Sequence, residues 1–272
     1  MHGPPPLARW ARDAHDVAVP ERVVDLDGYR TRVVDDGEGD PIVLVHGTPF
    51  DLRAWDALAA QLRGRRVIRY DVRGHGSAGG VAVPSIPALA GDLVDLLDRL
   101  DLPDAHLVGH SWGGQIVQRA TLDHPRRVRR LSLLCTRASP FPAFHTLAAG
   151  LRDGTADPLA SLERWFGPEE RARPTAFVGV VREVLRRADP HTWGAALDTI
   201  ADFDVLAELP AILAPVDVVA AELDGVGAPG HMALVADALP CATFEVLPGA
   251  RHLAPLHEVH PVAQVLLTRP HR

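Results

Sequence analysis

The segment Gly109-His110-Ser111-Trp112-Gly113-Gly114 constrains this chain more than any other. It joins an apolar run, Ala105 to Val108, to a helix-like segment beginning near Gln115. A serine at the apex of so tight a strand-to-helix turn is driven toward positive φ, which persists only where the surroundings enforce it. Strand and helix must also close together around it, and glycine two residues before and two after leaves that room. The spacing therefore presents the Ser111 hydroxyl at the end of a strand, where a nucleophile is accessible.

A serine hydroxyl needs a base to become a nucleophile, and the base needs an acid to orient it. His252 lies in Pro248-Gly249-Ala250-Arg251-His252, just after the strand-like Thr243 to Leu247, and Asp224 directly follows the apolar run Val216 to Ala220 and its short turn. Both fall in loops at the carboxyl ends of strands, the edge of an open parallel sheet where ligands gather. The rival acid, Asp217, lies inside its strand, and the rival bases His257 and His260 read as surface helix histidines. His46 and His110 precede a glycine and a serine at strand ends, where an imidazole ties loop backbones together. Arg251 is an extra cation beside His252, placed to lower its basicity, to bind an acidic substrate or to point to water.

Together with Val43-Leu44-Val45-His46-Gly47-Thr48 and Asp71-Val72-Arg73-Gly74-His75-Gly76, these residues resemble the α/β-hydrolase family over nearly the whole chain. The resemblance implies an α/β fold: a mainly parallel, eight-stranded-type sheet with helices on both faces and an inserted helical lid. It implies Ser111, Asp224 and His252 as nucleophile, acid and base, in the family's chain order. It also implies an oxyanion hole of the Thr48 and Trp112 backbone N–H groups; Pro49 has none to offer. Asp71 is then a loop-bracing carboxylate with Arg73 as its partner. His46-Gly47-Thr48-Pro49-Phe50 and Cys135-Thr136 are similar to the enol-lactonase and small-esterase branch, while the dehalogenase and epoxide-hydrolase branches carry aspartate where this chain has Ser111. The implied activity is cleavage of a carboxylic ester, lactone or thioester of a small to medium apolar substrate through an acyl-enzyme. A lyase, a C–C hydrolase, or a cyclase or ligand-binding protein reusing the same pocket are the alternatives. No cofactor or metal is expected: the chain has no H-E-x-x-H, no cysteine array and no dinucleotide glycine fingerprint at its first βα turn.

The rest of the chain alternates strands and helices. A hairpin is expected from Arg22 to Leu26 and Tyr29 to Val34 around Asp27-Gly28, then strands at Pro41 to Val45 and Arg66 to Tyr70. Helices are expected over Asp51 to Arg63, ended by Gly64, and over Pro87 to Leu100, with Asp92, Asp95 and Asp98 on a solvated face. Residues 1–20, rich in proline at the start, read as disordered. Residues 21–135 and 205–272 read as the core and 136–204 as the lid, with helical patterns at Pro158 to Phe166, Pro174 to Ala188 and Pro190 to Ala201. The aromatics Phe50, Phe141, Phe144, Trp165, Phe166, Phe177, Trp193 and Phe203 are candidates to line an apolar substrate pocket.

With 272 residues, 47% of them hydrophobic, the chain can bury a substantial core. Its net charge of −7 and the lack of a basic stripe argue against nucleic acid; the Arg126, Arg127, Arg129, Arg130 cluster reads as a solvated turn. Cys135 and Cys241 read as small buried hydrophobes without a disulfide. Without a signal-like or membrane-length apolar run, the expected setting is cytoplasmic, with a small-molecule substrate, no membrane and a homodimer left open.

Overall fold

Pro41–Val45 is buried at every position, the pattern of a strand covered by helices on both faces. The strands are β1 (Glu21–Leu26), β2 (Tyr29–Asp36), β3 (Pro41–Val45), β4 (Arg66–Tyr70), β5 (Ala105–His110), β6 (Val128–Leu134), β7 (Val216–Ala221) and β8 (Ala242–Leu247). In the computed structural model, which describes residues 21–172 and 175–268, they form one eight-stranded sheet in the order β1-β2-β4-β3-β5-β6-β7-β8. Leu26 pairs with Tyr29 across the expected Asp27-Gly28 hairpin turn, where Gly28 takes φ of 78°. The β1–β2 and β2–β4 pairs are antiparallel and every other pair is parallel. Segment 1–20 and Pro174, at the predicted start of one helix, lie outside the described residues.

The helices are α1 (Asp56–Gln61), α2 (Ile86–Arg99), α3 (Trp112–Asp123), α4 (Ala143–Asp153), α5 (Ser161–Trp165), α6 (Pro168–Ala172), α7 (Ala176–Arg187), α8 (Pro190–Asp202), α9 (Pro229–Ala238), α10 (Ala254–His257) and α11 (Val259–Thr268). Ser85 caps α2 by accepting the Ala88 N–H, and the helix buries Leu89, Leu93, Leu96 and Leu97, each worth about 1.5–3 kcal/mol. Packing pairs α2 with α3, and α1 with α10 and α11. Helices α4 to α8 all fall between β6 and β7, with α4 packed along α8. Among the described residues no helix is long and apolar enough to cross a membrane.

Strand β3 has β4 on one side and β5 on the other, so the direction of winding reverses between β3 and β5. A crevice opens beyond the carboxyl ends of the strands at such a switch point. The loop carrying Thr48 leaves β3 there, and the turn carrying Ser111 leaves β5.

Some local expectations change. The predicted Asp51 to Arg63 helix splits into a 3₁₀ turn, Leu52–Trp55, and the short α1. Asp51 accepts the Arg53 N–H and Asp71 accepts the Leu52 N–H, which fixes a tight first turn. The Pro158 to Phe166 pattern divides likewise into Pro158–Ala160 and α5. Helix α3 starts directly at Trp112 rather than near Gln115. Asp92 is buried instead of solvated, and Cys241 is exposed while Cys135 is buried.

Candidate active site

Ser111 has φ of 53° and ψ of −119°, between the last residue of β5 and the first of α3. Its surroundings hold that conformation: the Ser111 N–H donates to Leu134 O at 3.0 Å, and the Thr136 hydroxyl donates to Ser111 O at 2.6 Å. The flanking glycines are sterically required. A Cβ on Gly113 would stand 2.1 Å from Val45 O, and one on Gly109 2.4 Å from Gly113 O.

His252 leaves β8 and Asp224 leaves β7, and both are almost fully buried. His252 Nδ1 is 2.8 Å from Asp224 Oδ2, and its Nε2 is 3.1 Å from Ser111 Oγ. Burial works against the Asp224 charge, but the adjoining His252 ring and hydrogen bonds from it, the Val226 N–H and the Gly227 N–H outweigh it and hold the carboxyl below its usual range. An ionised carboxylate only accepts, so Nδ1 carries the proton and Nε2 is left to accept from the Ser111 hydroxyl. Trp112 opens α3, and its N–H therefore has no carbonyl one turn earlier to bond.

Three other titratable side chains brace these loops. His110 Nε2–H donates to the backbone carbonyl of His252 at 2.8 Å, and burial lowers the His110 pKa to about 3, keeping the ring neutral. His46 accepts the Val72 N–H at Nε2 and faces Gly47 O with Nδ1, tying the loops after β3 and β4 together. His75 Nδ1 is 3.3 Å from Arg73 O, which only accepts, so the proton sits on Nδ1. Nε2 then accepts from the Thr48 hydroxyl at 2.8 Å. Burial pushes His75 down to about 3, so this arrangement is neutral as well. The rival acid Asp217 is far from this role: it sits in β7, accepts from Arg130 Nε at 2.8 Å and from Ser132 Oγ at 3.1 Å, and forms a buried ion pair inside the sheet.

A small cavity of about 20 Å³ adjoins these groups, room for roughly one water. Its wall comprises Thr48, Ser111, Phe144, Leu147, Ser161, Arg164, Trp165, Trp193, Leu197, Ile200, Val226 and His252. Trp165 stacks on the His252 ring with centroids 6.2 Å apart at 22°, and the Trp112 indole N–H donates to Thr199 of α8 at 2.9 Å. The inserted helices thus close directly over the serine.

Residues 40–187 match the family described as alpha/beta hydrolase fold. The chain belongs to this family. A hydrolase from Pseudomonas aeruginosa PA01 matches with a TM-score of 0.83 at 29% identity, covering 93% of this chain and 98% of that one. The enol-lactonase from Burkholderia xenovorans LB400 matches with a TM-score of 0.85 at 26% identity, covering 91% and 98%. Epoxide hydrolase A from Mycobacterium tuberculosis is 39% identical over 127 residues, 44% of this chain and 39% of its own length. The matched stretches span between 11% and 51% of the length of the first curated relatives.

Within this α/β-hydrolase fold, several expected side-chain roles move. Phe144, Trp165 and Trp193 line the cavity as expected. Phe50 instead backs Trp165 at 5.7 Å, Phe141 packs edge-on against Phe144 at 4.6 Å, and Phe166 packs against Phe177 at 6.0 Å within the inserted segment. Phe203 lines a separate groove beside Val83 and Ile86. Arg73 does not partner Asp71. Its guanidinium forks onto Asp92 at 2.8 and 2.6 Å and lies 4.3 Å from the Tyr29 ring centroid, while Asp71 accepts the Leu52 and Ser77 N–H groups and has Arg32 at 3.4 Å. Arg251 turns outward to Glu170 of α6, at 3.7 Å. His257 is half-buried against Phe177 with ring centroids 4.4 Å apart, not a plain surface residue, whereas His260 is exposed. The cavity residues Leu147, Ser161, Arg164, Leu197, Ile200 and Val226 carry no sequence motif; only packing of the inserted helices brings them together.

Proposed function

We propose that this protein is a serine hydrolase that cleaves a carboxylic ester, lactone or thioester through an acyl-enzyme. The observation that carries the proposal is the continuous relay from Asp224 Oδ2 through both nitrogens of His252 to a Ser111 hydroxyl held at positive φ. Ser111 Oγ attacks the scissile carbonyl as its proton passes to His252 Nε2, and Asp224 stabilises the imidazolium. The Thr48 and Trp112 backbone N–H groups hold the oxyanion, the second at the positive end of α3. His252 returns the proton to the leaving oxygen or sulfur, then activates water to release the acid.

Similarity to an enol-lactonase supports this reading, and so does the serine itself, because the epoxide-hydrolase branch that the sequence also resembles in part uses a carboxylate at this position. The inserted helices act as a lid, and the apolar wall they build suits a small to medium apolar acyl group. The test is covalent labelling with a fluorophosphonate, located by peptide mass spectrometry, alongside turnover of p-nitrophenyl acetate and butyrate. Label on Ser111 and loss of both in Ser111→Ala are expected. Turnover of these esters at the parent rate by Ser111→Ala would exclude the mechanism.

A further inference from the structure

Arg164 sits on α5 with its side chain in the wall of the same cavity as Ser111 and His252. One guanidinium nitrogen donates to the buried Ser161 hydroxyl at 2.7 Å, which steadies the group without neutralising it. Its Nε is buried and has no hydrogen-bond partner among the described residues. No carboxylate lines the cavity, and the neighbouring Glu163 is exposed and pairs with Arg171 at 3.3 Å instead. The remaining wall is largely aromatic and aliphatic, with the Phe144 ring centroid 5.9 Å from the guanidinium carbon. Burial lowers the Arg164 pKa from its ordinary value and outweighs the opposing attraction of Glu163.

A guanidinium steadied by Ser161, with its Nε unpartnered in a weakly polar wall, is matched by a planar anion that accepts parallel hydrogen bonds. We propose that Arg164 binds a carboxylate carried on the acyl part of the substrate, so that the preferred substrates are half-esters, thioesters or lactones of short dicarboxylic acids. The inference rests on the serine-hydrolase reading for its chemistry but not for its binding step. It narrows that reading from an apolar acyl group to one that is apolar along its chain and anionic at its far end. Any acyl chain has to displace part of the inserted helices to enter so small a cavity, and a short chain displaces least.

Binding and turnover are measured separately. The Ser111→Ala protein is titrated with monomethyl succinate and monomethyl glutarate, and with the corresponding dimethyl esters, following tryptophan emission and heat of binding. The half-esters are expected to bind at least tenfold more tightly than the diesters. That ratio should collapse toward one on adding Arg164→Gln, recover in part with Arg164→Lys, and persist with Arg186→Gln, which removes the same charge from an exposed position on α7. Unfolding midpoints of all variants report any purely structural role. Equal binding of half-ester and diester, or an unchanged ratio in a folded Arg164→Gln protein, overturns the inference. Turnover of p-nitrophenyl hemisuccinate against p-nitrophenyl butyrate by the parent enzyme completes the test. Selective half-ester binding with no Ser111-dependent turnover of either ester upholds the anion site and overturns the hydrolase reading alone.

Discussion

Asp224 Oδ2 lies 2.8 Å from His252 Nδ1, whereas Asp217, seven positions earlier in the chain, faces Arg130 within the sheet. The two carboxylates therefore answer to different measurements. Asp224→Asn removes the acceptor that keeps the proton on Nδ1, and turnover is expected to fall by about 10⁴ with the fold intact. Asp217→Asn removes the carboxylate from a buried ion pair with Arg130, so it is expected to cost up to about 3–5 kcal/mol of stability and to leave the folded enzyme active. Steady-state kinetics and urea unfolding of both variants check the pair, and reversed outcomes would reassign the acid.

In the proposed mechanism Ser111 and His252 transfer one proton between them, so their losses should not multiply. Ser111→Ala and His252→Ala are each expected to lower turnover by on the order of 10⁴ or more, with the double variant little worse than either. Independent, multiplying losses would show that the two side chains act on separate steps.

Acid stability follows from the buried histidines. His75 and His110 titrate at about 3 in the folded chain against an ordinary 6.5. Between those values the unfolded chain binds protons that the folded one refuses, so stability is full above about pH 6.5 and declines as the pH falls below it. Asp224, held below its ordinary value, acts in the same direction: its contribution is present above pH 3.8 and is lost as the pH falls through its folded value. The unfolding midpoint should drop steadily from pH 7 to pH 4.5, with a shallower slope in His75→Asn and His110→Asn. A midpoint flat over that range would mean that these rings accept protons where they lie.

The aromatics of the inserted segment should divide into two kinds. Trp165→Ala and Phe144→Ala enlarge the cavity beside Ser111 and are expected to change kcat/KM for bulky relative to small esters by tenfold or more. Phe166→Ala empties the packing against Phe177 and is expected to destabilise by about 3–5 kcal/mol while leaving that ratio within twofold. Equal effects of all three on the ratio would place Phe166 in contact with substrate.

The positions of Ser111, Asp224 and His252 are legible in the sequence because each depends on local chain geometry, a glycine-flanked turn or the residues just past an apolar strand. The parallel sheet is legible for the same reason, since strands such as Pro41–Val45 are apolar throughout. The partner of Arg73 is not, because it is chosen by how α2 lies across the sheet: that packing brings Asp92 to the guanidinium and leaves Asp71 to the backbone of two loops. Arg164 and Ser161 escape sequence reasoning altogether. They sit on or at the start of a five-residue helix, too short for periodicity to say which side meets the core.

The stacking of Trp165 on His252 gives the site an optical readout of its own. A protonated imidazole quenches the emission of an indole lying against it, whereas a neutral one does so far less. Light from Trp165 therefore dims as the base takes up a proton and brightens when the ring is drawn off the histidine. A single aromatic contact in this way reports both the charge of the His252 ring and the distance between the two rings, without any label being attached.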